Sequence, residues 1–388
     1  MLDVVVVGAG PSGAVLAYLL ARRGLQVLML EKDTLPRYKT CGGGVTWKAM
    51  QNLPFDASPV FEVAARGGIL TYKGDQLMRT ELGWPVAWTV MRANFDHFLV
   101  QRAVEAGAQL MDGVAVSSVD QDASGITVRS SHGVFQARIL AGADGVNSII
   151  ARSLGLLSGR KAGVGIEAEV AVPEAGMQAQ SSFATFDFGA LPHGYGWIFP
   201  KRDHLSVGVF HASSQKAPDL RQALERFIAS QPALRGARQL HVQGHRIPLG
   251  DGRQTLHKGR ALLVGDAANL ADAWLGEGIY YAILSARLAA EAVFAALRDD
   301  IADLSGYTRQ VRRQIAPQFA RARQFAALVY ALPEVCSVLL GSSPWMQEVV
   351  FSALRGNRTY KQMIEGLVWG APRVLAETIV NGIRQVSR

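Results

Sequence analysis

Cysteine is scarce in this chain, with only Cys41 and Cys336 among 388 residues. Two thiols make no disulfide framework, so the expected setting is a reducing, cytoplasmic one. The eight histidines are scattered without ligand spacing, and no metal centre is expected. No uninterrupted apolar run reaches the roughly 18 residues of a spanning helix. Charged side chains are only 19% against 49% hydrophobic, which excludes a disordered chain. Acidic residues are outnumbered, 32 to 40, leaving a charge of +8. That favours diphosphates, anionic lipid or nucleic acid as partners without choosing among them. Nucleic acid drops out because no basic run is interleaved with aromatics, and there is no repeat or low-complexity tract.

What is present begins at the N-terminus. Val4-Val5-Val6-Val7 reads as a buried strand and Gly8-Ala9-Gly10-Pro11-Ser12-Gly13 as a tight turn opening a helix near Pro11. The run has no basic leader and ends in that turn, so it is read as a strand and not as a signal peptide. Gly8 allows the turn, Gly10 lets the backbone approach a pyrophosphate, and Gly13 lets helix and strand pack closely. The helix N-terminus offers free N–H groups and a positive dipole end to that anion. A second strand, residues 25–30, ends at Glu31-Lys32, where the Glu31 carboxylate can accept from ribose hydroxyls. Strand, turn, helix and acid together specify an adenine dinucleotide.

Residues 94–106 have helical spacing, with Asn94 as a possible cap and Gly107 as the stop. Alternating runs at 113–116, 126–129 and 135–140 predict a small antiparallel meander. Residues 160–250 read mostly as strands with one helix near 219–230. A buried strand at 261–264 precedes a long helix over 276–297, and the pattern is helical from Leu304 onward. The expected architecture is mixed α/β. A Rossmann-like domain with a parallel sheet is assembled from 1–50, 90–159 and 255–298. A β-rich substrate domain is inserted from 51–89 and 160–254, and 299–388 forms a C-terminal helical region.

Two more glycine–acid pairs fall where such a fold returns to its cofactor. They are Asp144-Gly145 and Gly265-Asp266, the latter followed by Gly276-Glu277-Gly278-Ile279 opening a helix. A strand-end carboxylate can hold a ribityl hydroxyl, and a helix N-terminus can stabilise negative charge on a reduced flavin ring. With the first fingerprint they favour FAD over NAD.

These residues resemble the FAD-dependent aromatic-hydroxylase superfamily and, within it, the geranylgeranyl reductase family, over roughly residues 1–300. Beyond the three motifs above, Cys41-Gly42-Gly43-Gly44-Val45 is similar to the cysteine–glycine motif those reductases carry beside the isoalloxazine. Arg92 matches the family's arginine contact to FAD, and Tyr195-Gly196-Trp197-Ile198-Phe199-Pro200 its aromatic substrate motif. The resemblance implies FAD, a long apolar tunnel and saturation of isoprenoid double bonds. One departure is Phe210, where the family keeps a glycine, which puts the tunnel's length in question.

Tyr195, Trp197 and Phe199 alternate at strand spacing and so share one face, where aromatic rings can relieve positive charge developing on an alkene carbon. The same spacing also suits an ordinary sheet core. Cys41 has two readings: a chemical role, with Arg37 and Lys39 nearby to favour its thiolate, or a small thiol packed beside glycines. Lys201, after Pro200, is read either as a diphosphate contact or as a solvated loop lysine. A flavin monooxygenase or halogenase is the main alternative. The halogenase motif Trp-x-Trp-x-Ile-Pro is not met here, because Tyr195 and Phe199 replace its first Trp and its Ile. A prenyl-carrying escort without chemistry would have no use for the flavin motifs. No second nucleotide fingerprint is present, which leaves NADPH, ferredoxin or quinol as electron donor. The apolar stretch 325–340, broken at Pro333-Glu334 and preceded by Arg309, Arg312, Arg313, Arg321 and Arg323, is read as a packed amphipathic helix or as a contact with an anionic membrane surface.

Overall fold

A computed structural model describes residues 1–122, 125–156, 161–213, 217–300 and 303–386. Leu2–Val7 is an interior strand of an eight-stranded sheet, paired in parallel with Val27–Leu30 on one side and Gly133–Gly142 on the other. Both of its faces are covered, and Val4, Val5 and Val6 are fully buried, which is why the sequence runs apolar without alternation. Helix Pro11–Ala21 packs against Ile279–Arg298 and Arg92–Glu105. Among the described residues Ile279–Arg298 is long and apolar enough to cross a membrane, yet its Ile283, Ala286, Ala290 and Val293 are buried in the core.

The expected meander is present as Val116–Gln121, Ile126–Ser130 and Gly133–Gly142, antiparallel throughout. Its first strand starts only at Val116, because Gly113 has a left-handed φ of +69°. Its third strand runs on as the parallel partner of Leu2–Val7, so one run serves two ladders. The helix expected from Asn94 starts earlier, at Arg92, with Met91 as its cap residue and no side-chain cap. The long helix opens at Ile279, with residues 276–278 forming the turn before it.

A second sheet has seven strands in the order Arg238–Pro248, Ala162–Ala171, Leu205–His211, Gly194–Pro200, Phe183–Asp187, Gly67–Tyr72 and Asp75–Glu81. Helix Leu220–Ser230, capped by Asp219, covers one face through Ala223, Leu224 and Phe227. The other face carries the aromatic residues. A three-stranded sheet, Gly44–Thr46, Ala87–Thr89 and Val63–Ala65, lies beside it in the chain path. Helices run from Ser305 to Val386, and the segment from Pro333 leaves its predecessor at a bend of 100°. Phe325, Val349 and Met363 from these helices join Leu70, Tyr195 and Trp197 in one core.

Candidate cofactor and substrate site

The N-terminal turn is closed by sterics. Gly8 has φ +99°, and a Cβ on it would lie 2.4 Å from the Ala143 carbonyl oxygen. A Cβ on Gly13 would lie 1.9 Å from the Gly8 carbonyl oxygen. A Cβ on Gly10 would meet no clash, its nearest heavy atom being Arg37 Nη2 at an ordinary contact distance of 3.8 Å. Pro11 occupies the first turn of the helix, where its missing N–H is no loss. Gly265 brings the third motif to the first, since a Cβ there would come within 2.6 Å of Ser12 Oγ. Glu31 is buried at the end of its strand. It accepts from the Ala9 N–H at 2.8 Å and the Asp33 N–H at 3.2 Å, with Arg37 Nε 3.6 Å away. Lys32, expected beside the cofactor, instead points outward: its side chain is 74% exposed and its nearest acid is Asp33.

Below the cleft Asp96 is fully buried between two arginines. Arg92 grips it bidentately through Nε and Nη2, both at 2.8 Å, and Arg37 Nη1 adds a third bond at 3.1 Å. Burial disfavours the Arg92 charge, but Asp96 and then the Cys41 sulfur outweigh it and raise the arginine's pKa further. The Asp144 carboxylate is not free for a ribityl hydroxyl. It accepts from Ser148 Oγ at 2.6 Å and from the Ile149 and Ile150 N–H groups, capping helix Ile149–Ser153. The neighbouring Gly145, at φ +75°, has nothing within 4 Å of a Cβ. Glu277 is likewise engaged, by Lys48 Nζ and Thr46 Oγ1. Gly276 and Gly278 remain the turn that opens helix Ile279–Arg298. Asp266 differs from both: among the described residues its carboxylate has no hydrogen-bond partner. Burial raises its pKa against the pull of Lys39 and Arg92. The same two cations, with burial first, push His245 down to about 3, and its Nε2 is buried without a partner.

The cysteine–glycine loop lies on the aromatic wall. A Cβ on Gly42 would sit 2.8 Å from Phe199 Cδ2 and 2.9 Å from Trp197 Nε1. Gly43 has φ +69°, with the Val90 carbonyl oxygen 2.2 Å from a Cβ. Gly44 and Val45 continue into a strand, and the Val45 side chain turns into the core of the parallel sheet. Tyr195, Trp197 and Phe199 share a face as expected, with neighbouring centroids 6.2 and 6.4 Å apart. Gly208 lies opposite Trp197 in the ladder and has no room for a side chain: a Cβ would be 2.2 Å from the indole. Phe210 pairs across the ladder with Tyr195 and is buried, its ring 2.7 Å from a Cβ on Gly163 and 3.5 Å from one on Gly276.

Lys201 corrects the sequence reading. It is neither a diphosphate contact nor solvated: it is 1% exposed, and Nζ donates to the carbonyls of Gly42 at 2.9 Å and Val90 at 2.8 Å. Pro200, next to it, accepts from Thr89 Oγ1 at 2.6 Å. Lys201 therefore pins the loop from beneath, and burial lowers its pKa against the pull of Glu167.

Sequence reasoning missed Glu167 and Glu169. Glu167 is fully buried, accepting the Cys41 N–H at 2.6 Å and the Ser206 hydroxyl at 2.5 Å. Ser206 in turn accepts from Trp197 Nε1 at 3.3 Å. The available signal was two acids alternating with apolar residues in one strand, which puts both on the face of the aromatic wall.

These residues fit FAD. Gly10 has no close contact over its Cα, Glu31 ends the second strand beside that turn, and Asp266 and His245, whose carboxylate and Nε2 have no hydrogen-bond partner among the described residues, both face Lys39 and Arg92. The family model described as FAD binding domain matches residues 1–322. Digeranylgeranylglycerophospholipid reductase 1 of Methanopyrus kandleri is 30% identical over 356 residues, covering 86% of this chain and 91% of that protein. A geranylgeranyl bacteriochlorophyll reductase-like protein of Thermoplasma acidophilum superposes with a TM-score of 0.81 at 21% identity, covering 98% and 99% of the two chains. A variant of halogenase PltM with FAD bound gives 0.71 at 17% identity, covering 94% and 85%, and so shares the fold. With its turn, its Cys41 loop and its aromatic strand in one place, the chain belongs to the geranylgeranyl reductase family of FAD-dependent oxidoreductases.

Proposed function

We propose that this protein saturates isolated double bonds of an isoprenoid chain. The observation that carries the reading is the wall of Tyr195, Trp197 and Phe199 pressed against the Cys41–Gly44 loop. The relative in Methanopyrus, whose name states reduction of a digeranylgeranyl lipid, supports it. Reduced FAD supplies a hydride when bound. Gly8, Gly10, Pro11, Ser12 and Gly13 would hold its pyrophosphate, Glu31 a ribose, Asp266 the ribityl chain, and the backbone of residues 42–45 the ring edge. Arg92, fixed by Asp96, keeps a positive charge beside Cys41. The aromatic faces stabilise positive character on the alkene by about 0.5–2 kcal/mol per ring, more when desolvated. Phe210, wedged between Gly163 and Gly276, shortens the apolar path, so the preferred chain is short or enters from the other end. NADPH or ferredoxin delivers the electrons.

We further propose a peripheral contact with a lipid surface. Leu328, Leu332, Val335, Val338, Val368 and the 85% exposed Trp369 are apolar side chains left outside by the C-terminal helices. Co-sedimentation with anionic vesicles that is lost on Trp369→Ser supports a peripheral contact there.

The test is anaerobic. Protein reduced with dithionite and given a geranylgeranyl compound yields product heavier by two mass units per bond. Oxygen incorporation on admitting air, with no such product, replaces this reading by the monooxygenase one. Normal turnover in folded Trp197→Ala removes the aromatic wall from the mechanism.

A further inference from the structure

The alkene gains two hydrogens, and the hydride accounts for one. The other must arrive as a proton at a wall made of aromatic rings and glycine backbone. The proton therefore needs a route from solvent, and the structure holds two hydrogen-bonded polar segments that meet across one ladder pair of this sheet, Glu169 and Ser206.

The line begins at Asp203, whose side chain is 85% exposed and whose Oδ1 is 2.6 Å from His204 Nδ1. His204 is 13% exposed, and its Nε2 is 3.0 Å from Glu169 Oε2. Ser206 lies directly across the ladder from Glu169, on the same face of the sheet. The Ser206 hydroxyl donates to Glu167 Oε1 at 2.5 Å, and Glu167 Oε2 accepts the Cys41 N–H at 2.6 Å. We infer that His204, Glu169, Ser206 and Glu167 form a proton inlet from the surface to the reducing site beside Cys41 and Trp197. The inference rests on the reductase reading.

The surroundings suit such a task. Two carboxylates two residues apart on one strand face are a poor choice for stability alone, because burying charge is costly unless it is fully paired. The titratable groups facing them are Lys201, His204, Cys41 and, across the ladder from Glu169, His241, with Asp203 behind His204 and Tyr38 donating to Glu169 Oε1 at 3.4 Å. Burial, then Glu169, raises the Glu167 pKa, while Ser206 and Lys201 pull it down. Burial works against the His204 imidazolium, but its bonds to Glu169 and Asp203 prevail and raise its pKa. Both ends of the line thus hold a proton more tightly than the free side chains do. In each turnover the π bond is replaced by two C–H bonds, one from the hydride and one from a proton that reaches the site through Glu167. The Glu167 carboxylate is then refilled through Ser206, Glu169 and His204 from solvent.

His204, Glu169, Ser206 and Glu167 act as positioning and relay groups, so the test must separate proton supply from folding. Glu167→Gln keeps an acceptor for the Cys41 N–H and cannot carry the proton. It is expected to slow the reduction step at least tenfold, with flavin absorbance and thermal midpoint unchanged. His204→Ala is expected to lose a similar factor and to recover several-fold with added imidazole, which no purely structural role would produce. A third measurement needs no cofactor. In the flavin-free protein, NMR titration should place His204 above the range of free histidine, and Glu169→Gln should bring it down. Unchanged turnover in Glu167→Gln, no imidazole rescue, or a His204 titration indifferent to Glu169 would each overturn the inlet. If the wild-type protein reduces no isoprenoid while His204 still responds to Glu169, the reductase reading fails and the His204–Glu169 pair stands.

Discussion

Gly42 lies edge-on against the indole of Trp197, so that a methyl group on it would come within 2.9 Å of Nε1. The same methyl would meet Phe199 at 2.8 Å. Two motifs from opposite halves of the chain are therefore one surface, and its spacing is set by a missing side chain. Neither the loop nor the wall has slack, because the loop is held from below by Lys201 and the indole fills the place of a side chain at Gly208.

Gly42→Ala should therefore push the loop off the wall. Overpacking of this kind costs roughly 1–3 kcal/mol. The expected outcome is weaker flavin retention and lower turnover, with the parallel sheet intact. Flavin fluorescence titration reads the affinity and circular dichroism the fold. Wild-type affinity and rate would mean that loop and wall move independently.

Lys201→Met should leave the carbonyls of Gly42 and Val90 buried without a donor. Each unsatisfied group costs about 1–3 kcal/mol, partly offset because a buried ammonium is no longer desolvated. Urea unfolding should show a loss of that order, accompanied by weaker flavin binding because the pinned loop is the one beside the ring. A variant that loses stability but binds flavin normally would confine Lys201 to the scaffold.

Asp96 offers a sharper case. Its carboxylate neutralises Arg92 and Arg37 while 0% exposed. Asp96→Asn keeps the shape and leaves the Arg92 guanidinium with little compensation, while Arg37 keeps Glu31 and Asp33, and breaking a buried pair in this way costs about 3–5 kcal/mol. The urea midpoint should fall with an unchanged slope, and salt should not restore it. Asn in place of Asp with a normal midpoint would show that water enters this cluster.

What the sequence made legible was what neighbouring residues decide. The turn at Gly8–Gly13 and the acid at Glu31 depend on a strand, a tight turn and a helix that are contiguous. The shared face of Tyr195, Trp197 and Phe199 depends only on the two-residue period of a strand. Lys201 was misread because its partners, Gly42 and Val90, come from a distant segment that no local pattern reveals. For Asp144, a strand-end acid that caps the next helix and one that faces a cofactor look identical until the carboxylate's direction is known. Asn94 does not cap its helix, which starts two residues earlier at Arg92, where Arg92 and Asp96, four apart, bind each other. Phe210 was noticed as a departure. That Gly208 instead makes room for the indole follows only from the ladder pairing of 197 with 208.

Asp272 ties the fold to pH. It is fully buried, its Oδ1 accepting from the Trp274 and Leu275 N–H groups at 2.9 Å each and its Oδ2 facing the Tyr360 hydroxyl at 3.3 Å. Burial, then the nearby Glu277, pushes its pKa up to about 6 against the pull of Lys48. A carboxyl whose folded value is raised adds stability that is complete below its unfolded value, near 3.8, and is lost as pH rises through about 6. Asp272→Asn keeps the acceptor for both N–H groups and cannot ionise. Relative to wild type, the variant should therefore gain on the order of 2–3 kcal/mol between pH 4 and pH 7, since each pH unit between the unfolded and folded values is worth about 1.4 kcal/mol. Urea unfolding at the two pH values measures this directly. A difference between the two proteins that stays flat across that window would show that Lys48 and Glu277 already hold Asp272 at an ordinary value.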